Sequence, residues 1–239
     1  HTTAEQPLPL PENAFVMPAD PGLFGEPSAF LAWRPGQPPP SPSAPLLNAV
    51  RLLQERLRFH QNDPDRAAFL DADLARIRLL GNESTGTNRE SLYVEGLRRF
   101  AERAAQDPIS AIARHQAATV LRSQGRLPEA HRLAEEGARA HPDSPGGRLC
   151  AEVVRAIEAP SVSPATERSW TTPRPGIEIR HRNTPRLWFR VLAGDWDRHL
   201  ERTRGRPERP NEADRRLLLG ATPVHAWAVD LPATPDFKD

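Results

Sequence analysis

Cys150 is the only cysteine in the chain, so the most reactive side chain available stands alone. One cysteine forms neither an internal disulfide nor a multi-cysteine metal site. Its neighbours Leu149, Val153 and Val154 ask for an apolar helix face, which reads Cys150 as a small buried hydrophobe rather than a nucleophile. His115, His131 and His141 share one stretch, but no H-x-x-x-H or H-E-x-x-H spacing brings two imidazoles to one metal. His181 and His199 have no evident carboxylate partner and read as solvated or packed rings. Asp71 and Asp73 stand two apart on a helical stretch and cannot face each other. Asp195-Trp196-Asp197 reads as the cap of a helix beginning near Arg198 rather than a cation site. Glycine-rich phosphate loops and a G-x-S-x-G elbow are both missing from the sequence. No catalytic, cofactor-binding or metal-ligating residue is therefore assigned, and the expectation is a chain that is not an enzyme.

The composition narrows the partners. A formal net charge of +1, with 26% charged and 38% hydrophobic residues, describes a globular chain rather than a polybasic nucleic-acid binder. Lys238 is the only lysine, and the arginines are scattered without the stacking aromatics that nucleic-acid recognition uses. No stretch approaches the roughly 20 apolar residues of a membrane helix. Nucleic acid and direct membrane insertion are accordingly not expected.

Hydrophobic spacing divides the chain into three parts. Residues 1–44 are proline-rich, which favours extended or polyproline II backbone and leaves no room for an interior helix. Phe15, Val16, Met17, Leu23, Phe24, Phe30, Leu31 and Trp33 are too apolar for a fully solvated tail, so part of this segment should lie as a strap across helices, with 37–42 exposed. Residues 45–159 read as helices joined by short turns, hence antiparallel neighbours. Leu46, Val50, Leu53 and Leu57 mark the first helix, which should stop near Asn62. Asp63-Pro64 should cap a second, with Leu70, Leu74 and Ile77 buried and Gly81-Asn82 ending it. Thr87 and Glu90 have capping-box spacing ahead of Tyr93, Leu97, Phe100 and Ala104. Asp107-Pro108, Pro128 and Ser144-Pro145 open three more helices.

Residues 109–141 resemble a tetratricopeptide repeat, with Ala117, Ala118, Leu121, Gly125, Ala130 and Pro142 at roughly matching intervals. After Ala159-Pro160 the period changes to two. A first strand is expected within 161–170, then two alternating strands across 177–192 joined by Asn183-Thr184-Pro185. Residues 195–219 should be helical in part, and 224–231 return to strand, with Trp227 and Val229 on one face.

Three phrases occur in order: IEAPSVS (Ile157–Ser163), RHRNTPRLWFRV (Arg180–Val191) and PVHAWAVDLPATPDF (Pro223–Phe237). Together they resemble the large bacterial α2-macroglobulin-like proteins, in which a helical repeat region leads into the first macroglobulin-type sandwich. LLQERLRFHQNDPDRAAFLDADLARI upstream is similar to the helical region of that group. The resemblance implies a mainly α chain: TPR-like antiparallel helices followed by an incomplete β-sandwich, 160–239 being its N-terminal part. It implies a piece of a larger periplasmic or cell-envelope protease trap, a broad-spectrum endopeptidase inhibitor. Such a trap collapses around a protease that cuts its bait segment, and in many members a thioester in a C-x-E-Q motif then bonds the protease.

Cys150-Ala151-Glu152-Val153 falls short of that motif, because valine has no carboxamide to be acylated. Bait and any thioester would lie beyond Asp239. The implied partners are target proteases, met through the parent protein, and neighbouring domains of the same chain. The alternative is a free-standing TPR-like adaptor that binds peptides in a concave groove. On the first reading Leu187, Phe189, Val191, Trp227 and Val229 should be incompletely covered.

Overall fold

The computed structural model describes residues 15–36, 44–166, 176–203 and 211–238. The chain divides into two compact units, residues 1–158 and 159–239.

The first unit begins with β1 (Met17–Pro18), α1 (Pro21–Phe24) and α2 (Pro27–Ala32). The two short helices correct the expectation of a purely extended segment. Pro21 and Pro27 stand in the first turn, where the missing N–H costs nothing, and the Asp20 carboxylate accepts the Gly22 N–H at 2.7 Å. The strap itself is present, since Met17, Leu23, Phe24 and Phe30 are buried. The expected exposure of 37–42 falls outside the described residues.

The helical body follows as α3 (Pro45–His60), α4 (Ala67–Glu83), the short β2 (Ser84–Thr85), α5 (Arg89–Arg103), α6 (Ile109–Ser123), α7 (Leu127–Ala140) and α8 (Pro145–Glu158). β1 and β2 pair in parallel, Met17 opposite Ser84. α3 packs on α4, α4 on α5, α5 on α6, and α6, α7 and α8 pack on one another. Three starts match their sequence signals. The Asp107 carboxylate accepts the Ile109 N–H at 2.9 Å, Ser144 Oγ accepts the Gly147 N–H at 2.9 Å, and Pro128 lies in the first turn of α7.

Other boundaries differ. α4 begins at Ala67 rather than beside Pro64, because the Asp63 carboxylate faces His60 at 2.7 Å and Asp65 takes the Ala67 N–H. It also runs through Gly81-Asn82 to Glu83 and stops where Ser84 turns extended. The Thr87–Glu90 capping box does not form. Asn88 precedes α5 without a side-chain cap bond, and Glu90 accepts from Gln124 Nε2 at 2.8 Å.

The α6–α7 turn shows why a glycine is needed. Gly125 has φ +72°, the left-handed conformation that closes a helix. The Arg126 N–H then reaches back to the Leu121 carbonyl and the Gly125 N–H to that of Arg122. Ala117, Ala118, Leu121 and Ala130, the small and apolar positions of the repeat-like stretch, are all fully buried. α8 approaches α6 closely at Gly146, where a Cβ would stand 2.5 Å from the Ile112 nitrogen.

The second unit carries β3 (Ser161–Thr166), β4 (Ile177–Arg182), β5 (Arg186–Val191), α9 (Trp196–Arg202), α10 (Glu212–Gly220) and β6 (His225–Asp230). β4 and β5 flank Asn183-Thr184-Pro185 as expected, yet each pairs elsewhere: β4 antiparallel with β3, β5 antiparallel with β6. Among the described residues these are separate two-stranded ribbons, and no closed sheet forms. Asp195 caps α9, accepting the Arg198 N–H at 3.1 Å. No helix of the described residues is long and apolar enough to cross a membrane.

Candidate functional site

The residue with the most chemistry in its type has the least in its setting. Cys150 is fully buried, and its Sγ donates to the Ala111 carbonyl at 3.3 Å. Burial pushes the thiol up to about 11, so almost none of it is thiolate near neutrality. Its sulfur lies 2.6 Å from where a Cβ on Gly137 would stand, so it fills the space that glycine opens between α7 and α8.

The histidines do not converge. His131 Nε2 faces Glu158 at 2.7 Å and ties α7 to the end of α8. His141 Nε2 faces the Ala105 carbonyl at 3.0 Å. Desolvation, then the nearby Arg122 guanidinium, holds the His115 imidazole below its ordinary pKa. His199 stands beside the Trp196 ring, while His181 Nδ1 is buried without a partner. Among the described residues no group of three or more His, Cys, Asp or Glu could hold a metal ion.

Asp71 and Asp73 part company as their spacing requires. Asp71 pairs with Arg56 across α3 and α4 at 2.7 Å on the surface. Asp73 points inward to a buried polar cluster of the first unit. Its carboxylate accepts from Arg76 Nε at 2.8 Å and from Arg103 Nη2 at 2.8 Å, and Arg103 also reaches Glu26 at 2.9 Å. Arg76 is 0% exposed. Its guanidinium donates to the carbonyls of Leu23 and Gly25 and lies 5.1 Å from the Phe30 ring centre. Desolvation lowers its pKa, while the Asp73 charge and hydrogen bond raise it.

The strap is held through its backbone as well as through its buried side chains. Gln54 Nε2 donates to the Phe30 carbonyl at 2.8 Å and that of Trp33 at 3.2 Å. Arg58 donates to Leu31 at 3.0 Å, and Thr85 Oγ1 to Met17 at 3.3 Å. This cluster reads main-chain carbonyls at the C-terminal ends of α1 and α2. Sequence spacing missed it. Asp73 and Arg76 at i, i+3 were the visible half, and the other half is main-chain oxygen, which every residue carries.

In the second unit, the Phe189 and Trp227 rings stack across β5 and β6 with centres 4.9 Å apart. Val191, Trp227 and Val229 remain 45%, 37% and 40% exposed, and Leu187 and Phe189 are half-buried. Trp188, on the opposite face, is 72% exposed. A cleft of about 500 Å³ lies between α9 and α10, lined by Trp196, His199, Leu217 and Leu218 among others.

No family model, no curated protein and no solved structure matches the chain.

Proposed function

We propose that this chain is a non-catalytic segment of a bacterial α2-macroglobulin-like protease trap, in which the helical unit supports the first macroglobulin-type sandwich. What carries the reading is the half-covered aromatic face of the β5–β6 ribbon. Its residues come from the second and third phrases of the resemblance, RHRNTPRLWFRV and PVHAWAVDLPATPDF. A ribbon whose stacked Phe189 and Trp227 stand beside exposed Val191 and Val229 needs a further layer to cover it. Two-stranded ribbons are at best marginal alone, and a packed second sheet supplies what they lack. On this reading the helices of residues 109–141 are a TPR-like pair that positions the sandwich, and the parent works in the periplasm or cell envelope against endopeptidases.

Reading the gene on both sides of the chain tests this. Further sandwich repeats downstream support a trap, covalent if a C-x-E-Q follows and non-covalent if none does. A stop codon soon after Asp239 would overturn it and leave the helical unit as the working part.

A further inference from the structure

We propose that the crevice between α5, α6 and α7 binds a small organic carboxylate, held at its oxygens by the Arg114 guanidinium. The crevice has a volume of about 250 Å³ and is lined by side chains of these three helices. It is smaller than a pocket for a drug-sized molecule and suits a ligand of a few heavy atoms.

The first ground is an uncommitted charge. Arg98, Arg114 and Arg132 all line the crevice. Arg98 Nη2 donates to Glu129 at 3.3 Å and Arg132 Nη1 to Glu136 at 2.9 Å. Arg114 is half-buried, and its Nη1 is out of contact with solvent and has no acceptor among the described residues. Arg98 Nε is in the same position. A guanidinium that has given up part of its hydration recovers that cost when an acceptor is supplied beside it.

The second ground is how Arg114 is placed. A Cβ on Gly137 would stand 3.3 Å from Arg114 Cβ and 3.4 Å from its Cδ. The stem therefore lies against α7 where that helix has no side chain. Packing orders the stem before any ligand arrives, so little rotamer freedom remains to be lost on binding.

The third ground is what surrounds the charge. Glu95, Glu102 and Glu136 line the same crevice and balance its three guanidiniums. A dianion such as phosphate meets those carboxylates at close range and is disfavoured. A carboxylate brings one charge and two coplanar oxygens, which match the guanidinium fork. Ala101 and Leu133 are buried at the crevice and offer an apolar wall to a methyl or methylene body. The site belongs to the first unit and is independent of the protease-trap reading.

The experiment titrates the full chain, labelled with nitrogen-15, with sodium propionate at constant ionic strength, following the arginine Nε–H resonances by NMR. The Arg114 resonance, identified by its loss in Arg114→Gln, should shift and saturate with a dissociation constant of about 1 mM or tighter. Propionate binding read by calorimetry should weaken at least about tenfold in Arg114→Gln, since a hydrogen bond to a charged group is lost. Arg122→Gln, on α6 but outside the crevice, should leave it unchanged. Far-ultraviolet circular dichroism shows whether each variant is folded, and competition on the parent chain needs no variant: inorganic phosphate and chloride should fail to displace propionate at equal concentration. A shift that never saturates would overturn the proposal. So would equal binding of phosphate, or undiminished binding by a folded Arg114→Gln chain.

Discussion

At the scale of single residues the molecule spends its charges on holding itself together. Arg76→Met keeps the volume but leaves Asp73 without its closest partner and two strap carbonyls without donors. The expected cost is about 3 kcal/mol, as for breaking a buried pair, read from urea unfolding of the first unit. Arg56→Met, at the exposed pair with Asp71, should cost under about 1 kcal/mol. Cys150, buried with its thiol at about 11, should resist a thiol reagent at pH 7.5 until the protein is unfolded. Stoichiometric labelling of the native chain within minutes would contradict that.

His115 gives a pH dependence. Its folded pKa lies below the ordinary value of 6.5, so below pH 6.5 the unfolded chain takes up the proton more readily. Its contribution to stability is complete above 6.5 and is lost as pH falls through the folded value. His115→Gln should therefore flatten the acid side of the first unit's stability profile relative to the parent, and an unchanged profile would contradict the assignment. Residue types alone pointed to a buried, inert Cys150. They showed only the Asp73 half of the Arg76 cluster, because its other acceptors are backbone oxygens brought from more than 50 positions away in sequence.

At the scale of elements, two glycines separate conformation from contact. Gly125 sits at φ +72° with open space around a would-be Cβ, so Gly125→Ala should cost only the left-handed penalty, about 1 kcal/mol. Gly146→Ala must instead push α8 off the backbone of α6 at Ile112. It should cost more, about 2–3 kcal/mol, since overpacking here meets backbone rather than a movable side chain. Thermal unfolding of the two variants ranks them, and equal losses would contradict the close approach.

Helix existence was legible in the sequence because cap chemistry is local. Asp107 and Ser144 each satisfy an N–H within three residues. It failed where a longer-range partner competed for the same side chain, as Gln124 does for Glu90. Strand alternation showed which of Leu187, Phe189 and Val191 share a face. It could not show that β5 would pair with β6 rather than β4, since a period of two names no partner.

At the scale of the whole molecule the two units differ in how much they bury. α6, α7 and α8 enclose Ala111, Ala117, Leu121, Ala134 and Cys150 completely, whereas the β5–β6 ribbon keeps its apolar face half open. Amides of β5 and β6 should therefore exchange with solvent at least about a hundredfold faster than those of α6. Hydrogen exchange read by mass spectrometry checks this, and equal protection would show that the ribbon is covered. The division near residue 159 was legible because the hydrophobic period changes there. The packing of residues 17–33 into the helical unit was legible only as an excess of apolar side chains in a proline-rich run.

The most direct measurement takes the product of the whole reading frame that contains this chain and mixes it with an endopeptidase. Residual activity is assayed on a folded protein substrate and on a short peptide. A trap that encloses its protease should abolish cleavage of the protein while leaving the peptide cleaved, because only the small substrate still reaches the active site. Undiminished cleavage of both substrates would contradict the account.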